Sequence, residues 1–247
     1  MLVQEIPKIV QWLQDQVKAA GAKGLVVGIS GGIDAAVAGA LIKKACPDSS
    51  LGIIIPIKSN PQDLIDAELV VNTLGLTAYK LDLTSEHQNM MDKTWQQLGA
   101  IFPEDKLHHR AADANLRARL RMSAIYTAAN ALNYLVVGTD NKAEYYTGYF
   151  TKYGDGACDL MPLADFTKAE VRELAGLLGI PERIIHKTPS AGLWEGQTDE
   201  AEMGTTYTHI DAYLRGESVP EPDRKIIERM HRSSEHKRKL PPAYRRQ

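Results

Sequence analysis

Four short apolar, β-branched runs, Leu25 to Ile29, Leu51 to Ile57, Thr77 to Leu83 and Tyr134 to Val137, are separated by segments long enough for helices. Strands joined by helical crossovers pair in parallel, and a parallel sheet must be covered on both faces. The pattern predicts an α/β fold: a doubly wound, mostly parallel sheet with helices on both faces. Pro61 to Leu74 reads as a crossover helix, opened by proline and closed by Gly75. Ala111 to Leu132, without internal Gly or Pro, reads as one long helix. Tyr145 to Asp159, with three glycines and four tyrosines, reads as a loop. Thr167-Lys168-Ala169-Glu170 is a capping box leading into Val171 to Leu178, and Thr188 to Asp199 reads as an ordered loop. Asp199 to Arg215 and Asp223 to Lys239 read as two terminal helices. One domain over 1–247, with a basic helical segment at about 223–247, is the expected organisation.

The first strand runs into Gly28-Ile29-Ser30-Gly31-Gly32-Ile33-Asp34-Ala35 and then an alanine-rich helix. A glycine-rich turn at a helix N-terminus offers unpaired N–H groups and the positive end of a dipole to an anion. The lysine that a Walker-type loop places after its last glycine is absent. Asp34 has two readings, a carboxylate favoured by the helix dipole or a ligand for Mg²⁺ that in turn holds phosphate. In a doubly wound sheet ligands collect beyond the carboxyl ends of the strands, where this loop, Thr139 to Glu144 and the tyrosine-rich loop all fall.

Composition removes other classes. Of 247 residues, 44% are hydrophobic and 24% charged, enough for a core that needs neither disulfide nor metal to fold. No apolar run approaches the ~20 residues of a membrane span, and Met1 to Pro7 lacks a basic n-region followed by an apolar block. A cytoplasmic protein without membrane association is expected. Cys46 and Cys158 stand apart with no C-x-x-C and read as free thiols, and the seven histidines show no metal-ligand spacing. A net charge of −2 argues against nucleic acid as a partner. Yet Arg224 to Gln247 holds nine Lys or Arg against two Glu, a local +7 that leaves −9 elsewhere. That segment is either a solvated basic tail or a clamp for a polyanion.

SGGID resembles the SGGxD loop of the N-type ATP pyrophosphatases, which have the adenine-nucleotide α-hydrolase-like fold, cleave ATP between its α- and β-phosphates and attach AMP to a substrate. A loop cradling a leaving pyrophosphate has a different task from a Walker loop, whose lysine attends the β- and γ-phosphates. Asn115 to Met122, Gly138 to Glu144, Phe150 to Gly156, Pro189 to Glu200 and His236 to Pro242 all look like NAD synthetase of the ammonia-dependent type. The resemblance covers nearly the whole chain. It implies that Gly28, Ile29, Ser30, Gly31, Gly32, Ile33, Asp34, Ala35, Thr139, Lys168 and Ser190 contact ATP as co-substrate, and that Asp34 and Glu144 bind Mg²⁺. It implies deamido-NAD contacts for Arg119, Lys152, Asp159, His236 and Lys237. No residue is assigned as acid or base.

Lys168 stands at the start of its helix, where the dipole disfavours a cation, a conflict that suits a ligand-facing role. Arg117 and Arg121, four apart, share a face that Arg119 does not and are expected in solvated or interface positions. The loop departs from the family's SGGxDS at Ala35, which removes a hydroxyl. No segment remains for the amidase domain of glutamine-dependent members, so free ammonia is the expected nitrogen source unless a separate subunit supplies it. A homodimer is implied, because that family's dinucleotide site lies partly between subunits. Two rival readings are another ATP pyrophosphatase and an adenine-nucleotide sensor on the same scaffold.

Overall fold

The computed structural model describes residues 2–103, 106–190, 192 and 196–246. Strands β1 (Gly24–Gly28), β2 (Ser50–Ile54), β3 (Ala78–Lys80) and β4 (Tyr134–Val136) form an all-parallel sheet in the order β3-β2-β1-β4. Successive side chains of a strand face opposite ways, and β1 uses both faces. Leu25 and Val27 pack with α1 (Glu5–Ala19), α2 (Ile33–Ala45) and α7 (Lys168–Leu177), whereas Val26 joins Leu51, Ile53 and Val136 beneath Ala129 of α5 (Lys106–Leu132). The fold is the expected α/β sheet covered on both sides. From β1 the chain moves outward through β2 and β3, then returns to β4 on the other flank of β1. The order therefore reverses between β1 and β4, and a crevice opens beyond their carboxyl ends.

Local chemistry explains where elements start and stop. Helix α3 (Pro61–Leu74) begins at Asn60, whose side chain accepts from Gln62 N–H, and ends at Gly75 in the left-handed region (φ 57°). The capping box of α7 is present in full, Thr167 accepting from Glu170 N–H and Glu170 from Thr167 N–H. Strands β2, β3 and β4 are shorter than their apolar runs. Beyond β2, Pro56 has no N–H to give, although Leu81 and Leu83 N–H still donate to the carbonyls of Ile54 and Pro56.

Four expectations change. The loop expected from Tyr145 begins at Gly148, because a second capping box, Asn141 with Glu144, nucleates α6 (Lys142–Thr147). Asp199 to Arg215 is two helices, α9 (Asp199–Met203) and α10 (Tyr207–Leu214). Gly204 adopts φ 76° between them and the Thr206 side chain caps the second. The terminal helix breaks at buried Ser234, whose hydroxyl lies 2.6 Å from the Met230 carbonyl and 3.0 Å from that of Thr147, giving α11 (Glu221–Ser233) and α12 (Glu235–Arg238). Helix α5 starts at Lys106, before Ala111. Of the loop expected at 188–199, positions 191 and 193–195 lie outside the described residues.

Helices α1 and α4 (Thr84–Leu98) and the short α8 (Glu182–Ile185) complete the set among the described residues. Ala143, Met203, Tyr207, Ile210 and Ile227 form a separate apolar cluster that binds α6, α9, α10 and α11 together. It seats the C-terminal helices beside the crevice.

Candidate active site

At the end of β1, Ile29 N–H still donates to the Ile53 carbonyl, then the chain turns. Ser30 Oγ accepts from Gly32 N–H at 3.3 Å. Gly31 has φ 80°, and a Cβ there would stand 2.5 Å from the Asp63 carbonyl oxygen and 2.9 Å from Ala67 N, so only glycine lets the loop lie against α3. Gly32 is the N-cap of α2 and supplies no side-chain cap. By helix geometry the amides of Ile33, Asp34 and Ala35 have no intrahelical acceptor. The loop thus places donors at the mouth of a cleft of ≈ 570 Å³.

Every expected ATP-side residue except Gly31 lines that cleft, as does Glu144. Gly31 is turned toward α3. At the centre is Lys168, 2% exposed. Its Nζ donates to Asp34 Oδ2 at 2.6 Å and Glu144 Oε1 at 3.2 Å, and lies 4.6 Å from the centre of the Tyr207 ring. Asn141 Nδ2 donates to the other Asp34 oxygen at 2.9 Å. The conflict of Lys168 with its helix dipole is offset by Asp211, whose carboxylate accepts from the N–H groups of Lys168 and Ala169 at 3.3 and 3.1 Å. Two carboxylates share one lysine. Burial pushes Glu144 up to about 7 against the pull of Lys168, with Asp34 adding to the rise. Burial opposes the charge of Lys168, but Asp34 and Glu144 outweigh it and raise its pKa.

Behind this trio, Tyr207 O–H donates to Glu144 Oε1 at 2.8 Å, and Asp199 Oδ2 lies 2.9 Å from the same phenol oxygen. Tyr149 O–H reaches Asp199 Oδ1 at 3.3 Å and Glu202 Oε2 at 2.6 Å. The residues fit Mg²⁺. Two hard carboxylates converge on one cationic position. No group of three or more His, Cys, Asp or Glu that could hold a metal is present among the described residues, and Mg²⁺ is an ion that ordinarily keeps several waters and is held by one or two carboxylates with substrate phosphate.

Across the cleft, Asp140 and Asp155 are a second acidic pair, Asp140 buried and Asp155 exposed, and the Asp140 carboxyl is raised in pKa first by its burial and then by Asp155. Lys237, which lines the cleft, donates Nζ to the carbonyls of Gly148 and Phe150 at 2.7 and 2.6 Å, and burial lowers its pKa. Of the five residues expected to contact deamido-NAD, it is the one at the cleft wall. Arg119, Lys152 and His236 cluster outside it, Arg119 Nε donating to the Lys152 carbonyl at 3.4 Å and Lys152 Nζ to the His236 carbonyl at 2.6 Å. Asp159 accepts from Val136 N–H at 2.8 Å and Tyr126 O–H at 3.1 Å, so one oxygen pins the end of β4 and the other ties it to α5.

The expectation for Arg117 and Arg121 is corrected. Arg117 is buried and paired with Asp113, while Arg121 lines the cleft and donates Nε to the Ile55 carbonyl at 3.0 Å and a terminal nitrogen to Ser59 Oγ at 3.3 Å. Burial, then Arg117, brings Arg121 down to about 10, so it keeps its charge at neutral pH. The two cysteines are free, and burial pushes the Cys158 thiol up to about 12, which leaves it protonated. In the basic segment Arg224, Arg232, Arg238 and Lys239 pair with Glu221, Glu228 or Glu235; the last two are already counted in the local +7, so of these partners only Glu221 offsets it further.

Sequence reasoning passed over Tyr207, Asp211 and Lys187. The first two, four apart on one helical face, carried a signal. Lys187 lines the cleft from the segment after α8, and nothing in its sequence context marks it. No helix among the described residues is long and apolar enough to cross a membrane.

The NAD synthase family model matches residues 5–241. The NH(3)-dependent NAD(+) synthetase of Alkaliphilus oremlandii is 55% identical, covering 97% of this chain and 96% of its own. Among solved structures, NMN synthetase from Francisella tularensis superposes with a TM-score of 0.92 at 38% identity, over 99% of this chain and 98% of that one. NAD+ synthetase from Burkholderia pseudomallei gives 0.80 at 32% identity, over 98% and 91%. A glycine loop, two converging carboxylates and a buried lysine at the switch point, together with likeness along almost the entire length, place this chain in the NAD synthase family.

Proposed function

We propose that this chain is a cytoplasmic, ammonia-dependent NAD synthetase, one catalytic unit over 1–247 that works as a homodimer. The convergence of Asp34, Glu144 and Lys168 beside the glycine loop carries the reading. A carboxylate oxygen of the nicotinate ring of deamido-NAD attacks the α-phosphorus of ATP. The bond to the β-phosphate breaks and pyrophosphate leaves with the electron pair. Ammonia nitrogen then attacks the acyl carbon, the bond to AMP breaks, and a nitrogen proton passes to solvent. The first step asks no acid or base of the protein.

The chain's part is positioning and charge. The amides at 33–35, Thr139 and Ser190 hold the nucleotide, and Lys168 neutralises developing negative charge. Asp34 and Glu144 would hold Mg²⁺, which when bound neutralises phosphate charge and orients the leaving group. Lys237 at the cleft wall, with Arg119, Lys152 and His236 on its rim, takes the dinucleotide. That rim lies beside α5, only three of whose 27 residues are buried, and Leu107 of α5, like Met90 and Leu98 of α4, is exposed. A second copy covering this face would complete the dinucleotide site, and light scattering of the purified protein measures that directly.

ATP, Mg²⁺ and ammonium supplied with deamido-NAD, nicotinate mononucleotide or xanthosine monophosphate test the reading. NAD and stoichiometric pyrophosphate from deamido-NAD are expected. The mononucleotide is the competing acceptor, because the solved structure that superposes with the higher TM-score of the two above is an NMN synthetase. Faster turnover of it would reassign the substrate. ATP binding without pyrophosphate release under any acceptor would indicate a sensor instead.

A further inference from the structure

We infer that Lys187 is a phosphate-binding residue of the cleft, neutralising the pyrophosphate that leaves, with Asp63 and Asp66 as its built-in counter-ions. The inference rests on the proposed ligase reading and adds a cation to it. A loop that cradles pyrophosphate without a lysine of its own, and with Ala35 where a hydroxyl would be expected, needs positive charge from elsewhere. Lys168, which supplies charge at the centre of the cleft, is paired with Asp34 and Glu144, and neither bond is to the glycine turn itself. Lys187 is the other lysine beside the loop.

Its Nζ donates to the Gly31 carbonyl at 3.3 Å, in the middle of the glycine turn, and it lines the cleft together with Gly32 to Ala35 and Ser190. An anion held by the amides at 33–35 therefore lies within reach of a lysine side chain. The same nitrogen stands 2.7 Å from Asp63 Oδ1 and 2.7 Å from Asp66 Oδ2.

These two counter-ions differ. The Asp66 side chain is 2% exposed and has further donors in Arg183 Nε at 2.9 Å and Gln62 Nε2 at 3.2 Å, so it stays paired if Lys187 shifts. The Asp63 side chain is 25% exposed, and water can replace the lysine there at small cost. Lys187, Arg183, Asp63 and Asp66 sum to zero charge. A phosphate oxygen that takes the Asp63 place at Nζ leaves Arg183 and Asp66 matched and puts one full positive charge on the polyphosphate. That charge stabilises the departing pyrophosphate more than it does the bridging phosphates of ATP, which is the differential binding catalysis requires.

The alternative is a strut, in which Lys187 merely ties the glycine turn to α3. Two variants give opposite signs for the two roles. Calorimetric titration of the full chain with inorganic pyrophosphate and Mg²⁺, and separately with AMP, is run on the parent, Lys187→Gln and Asp63→Asn. The phosphate role predicts that Lys187→Gln weakens pyrophosphate about tenfold or more, the loss of one charge-assisted contact, while AMP changes less than about twofold. It predicts that Asp63→Asn leaves pyrophosphate binding equal or tighter, because a competing carboxylate is gone. Weakening of pyrophosphate by both variants alike, equal losses of AMP and pyrophosphate in Lys187→Gln, or no loss at all, would overturn the assignment. NAD formation by the parent is measured alongside. Its absence defeats the ligase reading and this inference with it, whereas its presence with an unmoved pyrophosphate affinity defeats the inference alone.

Discussion

Replacing Lys168 with methionine asks whether Asp34 and Glu144 form a cation site. Methionine keeps the aliphatic stem over the Tyr207 ring and removes the charge. The lysine is 2% exposed and pairs with two carboxylates that are themselves 16% and 13% exposed. Breaking a buried ion pair from one side costs about 3–5 kcal/mol, because the partner charge remains buried. For a chain of this size ~1 kcal/mol moves Tm by about 2–4 °C, so Lys168→Met should melt roughly 6–20 °C below the parent at pH 8 in chelator. Two conditions should restore it. Mg²⁺ supplies the missing positive charge, and at a hundred times its dissociation constant a ligand contributes about 2.7 kcal/mol. Acid does the same by protonation. Glu144 already titrates at about 7 with the lysine in place, and removing a nearby cation raises it further. Its carboxyl is then neutral in the folded variant at pH 6, and the deficit narrows as pH falls. Scanning calorimetry of both proteins at pH 6 and 8, with and without Mg²⁺, decides the matter. A deficit that magnesium and acid fail to narrow, or a parent stabilised by Mg²⁺ as much as the variant, would show that the three side chains are an ordinary structural network.

Tyr207→Phe keeps the ring beneath Lys168 but deletes the donor to Glu144. It should raise the dissociation constant of Mn²⁺, read by electron paramagnetic resonance with an ATP analogue, by about one decade, and should cost about 1.5–3 kcal/mol in urea unfolding. An unchanged Mn²⁺ constant would leave Tyr207 a packing residue. Asp140→Asn probes the second acidic pair through its pH dependence. Burial, then Asp155 and Glu144, raises Asp140 well above the usual carboxylate range, so between about pH 4 and its folded pKa the unfolded chain has lost a proton that the folded chain retains. Parent stability therefore falls as pH rises through that window. The asparagine variant, uncharged throughout, should melt above the parent at pH 8 and level with it near pH 4, and a pH-independent difference in thermal scans would count against this origin. Lys237→Ala should weaken deamido-NAD by one to two decades and ATP far less, with calorimetric titration of each ligand as the check. Equal losses would return the terminal segment to a solvated basic tail.

The parts of the fold legible in the sequence were those set by local chemistry. Proline and glycine bounded α3, the Thr167–Glu170 box opened α7, and apolar period marked all four strands. Boundaries failed where a tertiary contact overrode the period. Ser234 is pulled onto the Thr147 carbonyl and breaks a pattern that reads as one helix through Lys239. Gly204 was visible, but a glycine inside a helical pattern does not announce whether it is a kink or an end. The wall of the cleft built on the glycine loop was legible because motif and sheet topology agree about where strand ends meet. Its supports were not. Lys187 reaches Asp63 across 124 positions and Lys168 reaches Asp34 across 134, and composition holds no trace of such pairings. Arg117 and Arg121 show the limit of a helical wheel, since it says which side chains share a face but not whether that face meets water or the sheet.

The missing lysine of the glycine loop then has a physical account. A Walker lysine rides on the loop itself, so its charge is fixed close to the phosphates whichever bond is to break. In this chain the cations beside the loop arrive from α7 and from the segment after α8, and each is already paired with carboxylates on α2, α6 or α3. Paired lysines attract a bound polyphosphate less than bare ones would, because each must first give up a counter-ion. The balance shifts when the bond between the α- and β-phosphates breaks and the leaving pyrophosphate gains charge, for then the phosphate outcompetes a partly solvated carboxylate such as Asp63. On the proposed reading, charge borrowed from carboxylates goes to the departing group and not to ground-state ATP. A lysine engineered into the loop, at Ala35, would reverse that preference: it should tighten ATP while slowing pyrophosphate formation, and a single-turnover assay showing both tighter binding and faster release would contradict the reasoning.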